Sequence, residues 1–174
     1  MPIVREASRL PTEYHEYGNL WAVETRWKNH GIAERLAKLV QPGDVLVGHS
    51  NGAALWLRAV RDFGAPAQGL VLLNPALKDD IEFPSGLKFV HIYYNDDDEA
   101  VPWARRSPHW LTDPLWGDMG SDGYKGRPNG AVSQFDCERT LGLPVLHGHS
   151  AIIEGHAART WAQIWGQRIG DAVE

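Results

Sequence analysis

Sulfur-containing residues and long apolar runs are scarce in this chain of 174 residues. Cys137 is the only cysteine, so no disulfide forms within the chain. Its neighbours Asp136 and Glu138 are acidic and raise the pKa of a thiol, which argues against a cysteine nucleophile. No stretch reaches the ~20 apolar residues of a membrane span, and residues 1–6 lack the apolar core of a signal peptide. We therefore expect a cytoplasmic protein without a membrane span.

Clusters of positive charge are also missing. The chain has 17 Lys and Arg against 22 Asp and Glu, a formal net charge of −5, and Arg105–Arg106 is only a pair. Because nucleic-acid surfaces need a basic patch, we expect no nucleic-acid partner. The D-x-D-x-D-G pattern of a calcium loop is absent, and Asp113, Asp118 and Asp122 lack metal-loop spacing. We therefore predict no metal site.

Ordinary globular composition, with 43% hydrophobic and 22% charged residues, indicates one packed domain over residues 1–174. Apolar runs and helical patterns alternate along it. The predicted strands are 44–48, 69–74, 88–95 and 143–147, and the predicted helices are 31–40, 51–63 and 155–169. Near-continuous apolar strands between helices predict an α/β fold, a three-layer sandwich with a mostly parallel sheet.

One long polar stretch, 103–142, interrupts this alternation, and its glycines, prolines and tryptophans predict a loop-rich flap. Three roles stay open for its aromatic side chains: to line an acyl pocket, to pack against a second subunit, or to anchor the loop to the core.

The pentapeptide Gly48-His49-Ser50-Asn51-Gly52 joins a predicted strand to a predicted helix. This G-x-S-x-G pattern in that context is typical of a nucleophile elbow, which holds a serine in a strained turn. Glycines on both sides remove Cβ atoms that would clash, and the helix N-terminus directs N–H groups at the serine oxygen. The simpler interpretation is a strand-to-helix turn with an N-capping serine.

The segment Val45–Ala54 resembles the nucleophile segment of α/β-hydrolases, and later segments resemble that superfamily in the same order. Leu70–Ala76 is similar to the next strand, and Phe89–Asn95 to the strand before a D-x-x-V-P turn, here Asp98–Pro102. Leu143–Ser150 is similar to the last strand and the histidine turn. The resemblance spans about residues 30–170 and is nearest to small hydrolases of phage and bacterial genomes.

The resemblance implies a Ser-Asp-His triad in that chain order, with Ser50 as nucleophile, Asp98 as acid and His149 as base. Each assignment except the serine has rivals. The rival acids are Asp96, Asp97, Asp79 and Asp80, and the rival bases are His147 and His156. Each triad residue follows a predicted strand, and active sites of parallel sheets lie at the carboxyl ends of the strands.

The resemblance also implies an oxyanion hole with the Asn51 N–H as one donor. His49, inside the pentapeptide, and Trp103, in the aromatic stretch, are the residues that we expect to bind substrate. We assign no second donor before Ser50, and the first strand of the family pattern is missing. We therefore expect a reduced α/β-hydrolase fold, and a homodimer that covers the uncovered sheet edge.

The predicted function is that of a serine hydrolase cleaving small-molecule carboxylic esters through an acyl-enzyme, without a cofactor. Two alternatives remain open. One is an amidase, peptidase or thioesterase with the same triad. The other is a degenerate hydrolase that serves as a binding module, since fold alone does not establish activity.

Overall fold

A computed structural model describes residues 11–13, 15, 22–98, 112–127, 130–139, 148–155 and 157–174. Within these ranges the chain forms four strands and four helices. The strands are β1 (Val45–His49), β2 (Gly69–Leu73), β3 (Phe89–Tyr94) and β4 (Val132–Asp136). The helices are α1 (Ala22–Ala37), α2 (Asn51–Phe63), α3 (Met119–Asp122) and α4 (Ala157–Val173).

The four strands form one sheet in the order β1-β2-β3-β4, and every pair is parallel. Val47 pairs with Val71, Val71 with His91, and His91 with Ser133, so one row of residues crosses the whole sheet. The α/β class predicted from the alternating elements is thereby confirmed. Because all strands point the same way, the loops that follow β1, β2 and β3 leave the sheet at one edge.

Both faces of the sheet are covered, because alternate strand residues pack against different helices. Leu70 and Leu72 point to the side where Leu57 of α2 packs. Val71 and Leu73 point to the other side, among the residues that surround Trp161 of α4. All five residues of β2 are buried, which explains its unbroken apolar sequence.

Helix α2 begins and ends where the sequence predicts. It follows β1 so closely that a Cβ atom on Gly48 would lie 2.7 Å from the backbone nitrogen of Ala53, so only glycine fits there. At its other end Gly64 adopts a left-handed conformation (φ 66°) and donates its N–H to the carbonyl of Val60, and the next residue, Ala65, donates to the carbonyl of Ala59.

Helix α1 corrects the helix predicted over 31–40, because it begins at Ala22 and ends at Ala37. Ile32 and Leu36 are buried as expected, but Thr25 and Asn29 extend the same face toward the N-terminus and are also buried. Polar side chains on the buried face interrupt the apolar periodicity from which a helix is predicted.

The stretch 103–142 is not purely a loop, because it contains β4 and the short helix α3. β4 is the last of the described strands in the sheet order, and its residues Ser133 and Gln134 are exposed. This polar sequence lacks the apolar run by which the inner strands were predicted. The strand predicted at 143–147 lies outside the described residues.

β1 is the other marginal strand of the described sheet. The indole N–H of Trp56 donates to the carbonyl of Val47 at 3.2 Å, and the His15 ring packs edge-on against Trp56, with centroids 6.2 Å apart. The chain itself therefore occupies the Val47 carbonyl, a backbone acceptor that a strand of a second copy would need in order to pair with β1. The homodimer stays a prediction, and the β1 edge supports it less than the sequence suggested, because Trp56 of the same chain occupies part of that edge.

None of the helices within the described ranges is long and apolar enough to cross a membrane.

Candidate functional site

Ser50 lies between β1 and α2 in a backbone conformation that residues other than glycine rarely adopt, with φ 54° and ψ −123°. Such a conformation costs about 1–3 kcal/mol and persists only where the surroundings enforce it. The Ser50 N–H donates to the carbonyl of Leu73, and its own carbonyl accepts from the N–H groups of Ala53 and Ala76. The turn is therefore held by both the neighbouring strand end and the helix that follows.

Asn51 is the first residue of α2, and its backbone N–H has no hydrogen-bond partner among the described residues. A free N–H at a helix N-terminus is suited to bind an oxyanion. The Asn51 side chain, in contrast, is fixed: its Oδ1 accepts from Asn29 Nδ2 at 2.8 Å and from Trp116 Nε1 at 2.9 Å.

Asp98 follows β3 in a turn that buries its carboxylate. The Asn95 side chain accepts from the N–H of Asp97, and the Asn95 carbonyl accepts from the N–H of Asp98, both at 3.0 Å. This Asx turn leaves Asp96 and Asp97 exposed and directs Asp98 inward, where its side chain has no exposed surface.

Asp98 contacts His149 directly: the Oδ2 atom lies 2.7 Å from His149 Nδ1. Because a carboxylate only accepts hydrogen bonds, His149 donates through Nδ1–H, and Nε2 is the nitrogen left to exchange a proton with another group. The His149 side chain keeps 20% of its surface exposed. The Ser50 hydroxyl and the His149 ring, both among the described residues, do not form a hydrogen bond with each other in this resting geometry.

The rival acids have other partners. Asp96 forms an ion pair with Arg139 at 2.7 Å, and Asp79 pairs with Lys125 at 3.0 Å. Asp97 and Asp80 are exposed. Among the five aspartates considered for the triad, Asp98 has a carboxylate in direct contact with a histidine ring. Its catalytic role stays a prediction.

His49 and Asn74 join the ends of β1 and β2 to the His149 segment. His49 Nε2 donates to the backbone carbonyl of His149 at 2.9 Å, and Asn74 Nδ2 donates to the same carbonyl at 3.0 Å. The His49 and His149 rings lie 4.7 Å apart at their centroids. Burial lowers the pKa of His49 from 6.5 to about 4, so His49 is neutral near neutral pH.

A second buried polar cluster surrounds Asp113. Its carboxylate accepts from Arg58 Nη2 and Asn29 Nδ2, both at 2.6 Å, from Arg58 Nε at 3.2 Å and from the N–H of Leu115 at 2.9 Å. Because Asn29 also contacts Asn51, this cluster fixes the first turn of α2.

Burial raises the pKa of the Cys137 thiol and the charge of Asp136 adds to the effect, which confirms the expected direction of its shift.

Several residues of interest lie outside the described part of the chain, namely Trp103 and the rival bases His147 and His156. Among the residues that are described, no group of three His, Cys, Asp or Glu side chains is arranged to hold a metal ion.

Sequence reasoning missed Asn74 and the Asp113 cluster. Asn74 carried a usable signal, because a polar residue directly after the apolar β2 lies at the same sheet edge as Ser50 and Asp98. Asn29 and Asp113 are 84 positions apart and carried no such signal.

No protein-family model, curated protein or solved structure matches this chain.

Proposed function

We propose that this chain is a serine hydrolase with a reduced α/β-hydrolase fold that cleaves small-molecule carboxylic esters through an acyl-enzyme. The observation that carries the proposal is the hydrogen bond between Asp98 and His149 beside the Ser50 turn. A serine hydroxyl is a weak nucleophile, and a histidine oriented by a buried carboxylate is the group that activates it. His49, the residue before Ser50, contacts the His149 backbone and so links the two.

The Ser50 backbone supports the same function. Its positive φ lies at the junction of a strand and a helix, as in a nucleophile elbow. The parallel sheet order β1-β2-β3-β4 agrees with the hydrolase resemblance. In that resemblance the serine follows one strand, the acid follows a later strand of the same sheet, and the histidine comes last in the chain.

In the proposed reaction Ser50 Oγ attacks the ester carbonyl carbon while His149 Nε2 takes the hydroxyl proton. The bond to the leaving alcohol breaks as His149 returns that proton to the alcohol oxygen, and the acyl group stays on Ser50. Water then attacks the acyl carbon by the same proton route, which releases the carboxylic acid and restores Ser50. Asp98 stabilises the imidazolium in both steps, and the Asn51 N–H stabilises the oxyanion.

Labelling with a fluorophosphonate probe tests the proposal, because the probe reacts with activated serines. We expect one covalent adduct, mapped to Ser50 by peptide mass spectrometry and absent in Ser50→Ala. Ser150→Ala is the matched control, since Ser150 is a second serine and directly follows His149 in the sequence. Ser50→Ala should also lower turnover of p-nitrophenyl esters by about 10³-fold or more.

The same experiment separates the alternatives. Faster turnover of a matched thioester or amide than of the ester assigns the other substrate class to the same site. A folded wild-type protein that neither takes the label nor hydrolyses any of these substrates is a binding module, and the proposal is then wrong.

A further inference from the structure

The backbone carbonyl of His149 receives two side-chain hydrogen bonds, from His49 Nε2 and from Asn74 Nδ2. The donors come from neighbouring parallel strands: His49 ends β1 and pairs with Leu73, the residue before Asn74. Two side chains from the sheet edge therefore converge on one oxygen atom of the segment that bears the base.

We propose that His49 and Asn74 are positioning residues, which hold the His149 backbone so that the His149 ring stays on Asp98. The inference rests on the proposed function and adds two residues to its machinery. It also changes the role expected for His49, because Nε2 of its ring donates to the His149 backbone.

His149 needs such support because it lies in an irregular segment. Residues 148–155 form consecutive turns and bends. Their backbone hydrogen bonds join Ala151 to Gly148, and Ile153 and Glu154 to Ser150, and none of them uses the His149 carbonyl. Regular structure therefore does not fix His149, and the contacts from the sheet edge supply the constraint.

Asn74 is buried with a strained backbone, and its hydrogen bond to the His149 carbonyl explains why. It has φ 42°, is fully buried, and anchors its own N–H on the carbonyl of Tyr93. Its Oδ1 atom is buried and has no hydrogen-bond partner among the described residues. Asn74 thus combines backbone strain with an unsatisfied acceptor. We infer that the hydrogen bond from Nδ2 to His149 is the reason why this residue keeps so unfavourable a conformation.

The neutral state of His49 suits a neighbour of the base. When His149 takes the serine proton it becomes a cation, and a second cation with its ring centroid 4.7 Å away would oppose that step. His49 in its neutral form still donates through Nε2–H and adds no charge.

Four variants test the inference. His49→Phe keeps a ring and removes the donor, and Asn74→Gly removes the donor while tolerating the positive φ. His49→Gln restores an N–H at the end of a side chain of similar reach and should rescue activity. His91→Phe is the matched control, because His91 is a half-buried ring that packs against Phe89 and Phe135, away from the His149 contacts.

We expect kcat for a p-nitrophenyl ester to fall about tenfold in His49→Phe and in Asn74→Gly, with KM within about twofold. The double variant should lose about 30-fold, short of the product of the single losses, because both donors hold one carbonyl. His49→Gln should recover most of the rate, and His91→Phe should match the wild type.

A second readout does not depend on turnover. The Nδ1 proton of His149, shared with Asp98, should give a proton NMR signal that is resolved downfield and lost in His149→Gln. We expect this signal to broaden or vanish in His49→Phe and Asn74→Gly and to persist in His91→Phe. Circular dichroism checks folding, and if either variant fails to fold, Asn74→Asp and His49→Leu, which also lack the donor, carry the comparison.

The two proposals fail in different ways. If Ser50 takes no fluorophosphonate but the NMR signal still depends on His49 and Asn74, the hydrolase assignment is wrong and the positioning role stands. If Ser50 is labelled while folded His49→Phe and Asn74→Gly keep both the rate and the signal, the positioning role is overturned. Multiplicative losses would mean that the two residues act separately, which also overturns it.

Discussion

Asp98 and Asp113 both bury their carboxylates completely, yet they contact different kinds of partner. Asp113 is saturated by four donors, two of them from the guanidinium of Arg58. Asp98 receives its short contact from the imidazole of His149, whose side chain reaches solvent.

The partner decides what each carboxylate does. A guanidinium stays charged throughout the accessible pH range, so the pair formed by Asp113 and Arg58 does not change during a reaction. An imidazole gains and loses a proton near neutral pH, so the pair formed by Asp98 and His149 is suited to proton transfer. Equal burial therefore does not imply equal function, and we expect one aspartate to determine rate and the other to determine stability.

The largest expected effect is on the rate in Asp98→Asn. The amide has nearly the same shape but no longer stabilises an imidazolium or selects the His149 tautomer, so kcat should fall about 10³-fold or more, equivalent to about 4 kcal/mol. Ester turnover measures the rate, and urea unfolding should show stability within about 1 kcal/mol of the wild type. A large loss of stability with little change in turnover per folded molecule would reverse the comparison.

Asp113→Asn should produce the opposite result. Arg58, only 13% exposed, would lose its buried carboxylate, and the free energy of unfolding should fall by about 3 kcal/mol. We expect kcat per folded molecule within about threefold of the wild type. Asp62→Asn is the matched control, since Asp62 pairs with the same Arg58 at a more exposed position and should lose less than about 1 kcal/mol. Equal losses from both substitutions would show that burial of Asp113 adds nothing.

Acid should destabilise the His149 region through His49. An unfolded chain binds a proton on this residue below pH 6.5, and the folded protein binds it only below about 4, because burial disfavours the charged ring. Between these values the unfolded state holds more protons, so stability falls as pH falls through this window, by about 2 kcal/mol from pH ~7.5 to pH ~4.5. Urea unfolding of the wild type and His49→Gln at both pH values isolates this contribution.

The His49→Gln variant is the control for this effect of pH on stability. His49→Gln should show a smaller loss of stability in acid than the wild type. Identical losses in both proteins would mean that His49 does not contribute, and that other groups account for any acid sensitivity.

The smallest expected effect comes from Trp116→Phe, which removes one of two donors to Asn51 Oδ1 and leaves that of Asn29. We expect a stability loss of about 1 kcal/mol by urea unfolding. If the Asp113 cluster serves only stability, kcat should not change. A loss in kcat larger than any change in KM would show that the cluster also positions the Asn51 N–H.

The local elements were predictable where local signals were complete. Helix α2 carries an apolar stripe and the stop signal of Gly64, and its predicted bounds of 51–63 are those observed. The inner strands β2 and β3 are buried on both faces, so their apolar runs fall within one residue of the predicted ranges. The contact between Asp98 and His149 was likewise expected, because parallel strands bring their following loops to one edge.

Other features depend on contacts between distant parts of the chain. The first half of α1 was missed because its buried face carries Thr25 and Asn29, and β4 was missed because it carries the exposed polar residues Ser133 and Gln134. No spacing along the chain relates Asn29 to Asp113, whose side chains meet only when the segment that carries Asp113 packs against α1 and against Arg58 of α2.

The sequence by itself determined the class of fold and the Ser50 turn, because periodicity and glycine placement act over a few residues. Gly48 shows this directly: no other residue fits so close to Ala53. The tertiary structure decided which of several similar aspartates is buried in contact with a histidine. Asp96, Asp97 and Asp98 are chemically alike and adjacent, and only the Asx turn at Asn95 buries the third against His149. Charge and spacing cannot distinguish such residues, because burial and partners arise from packing.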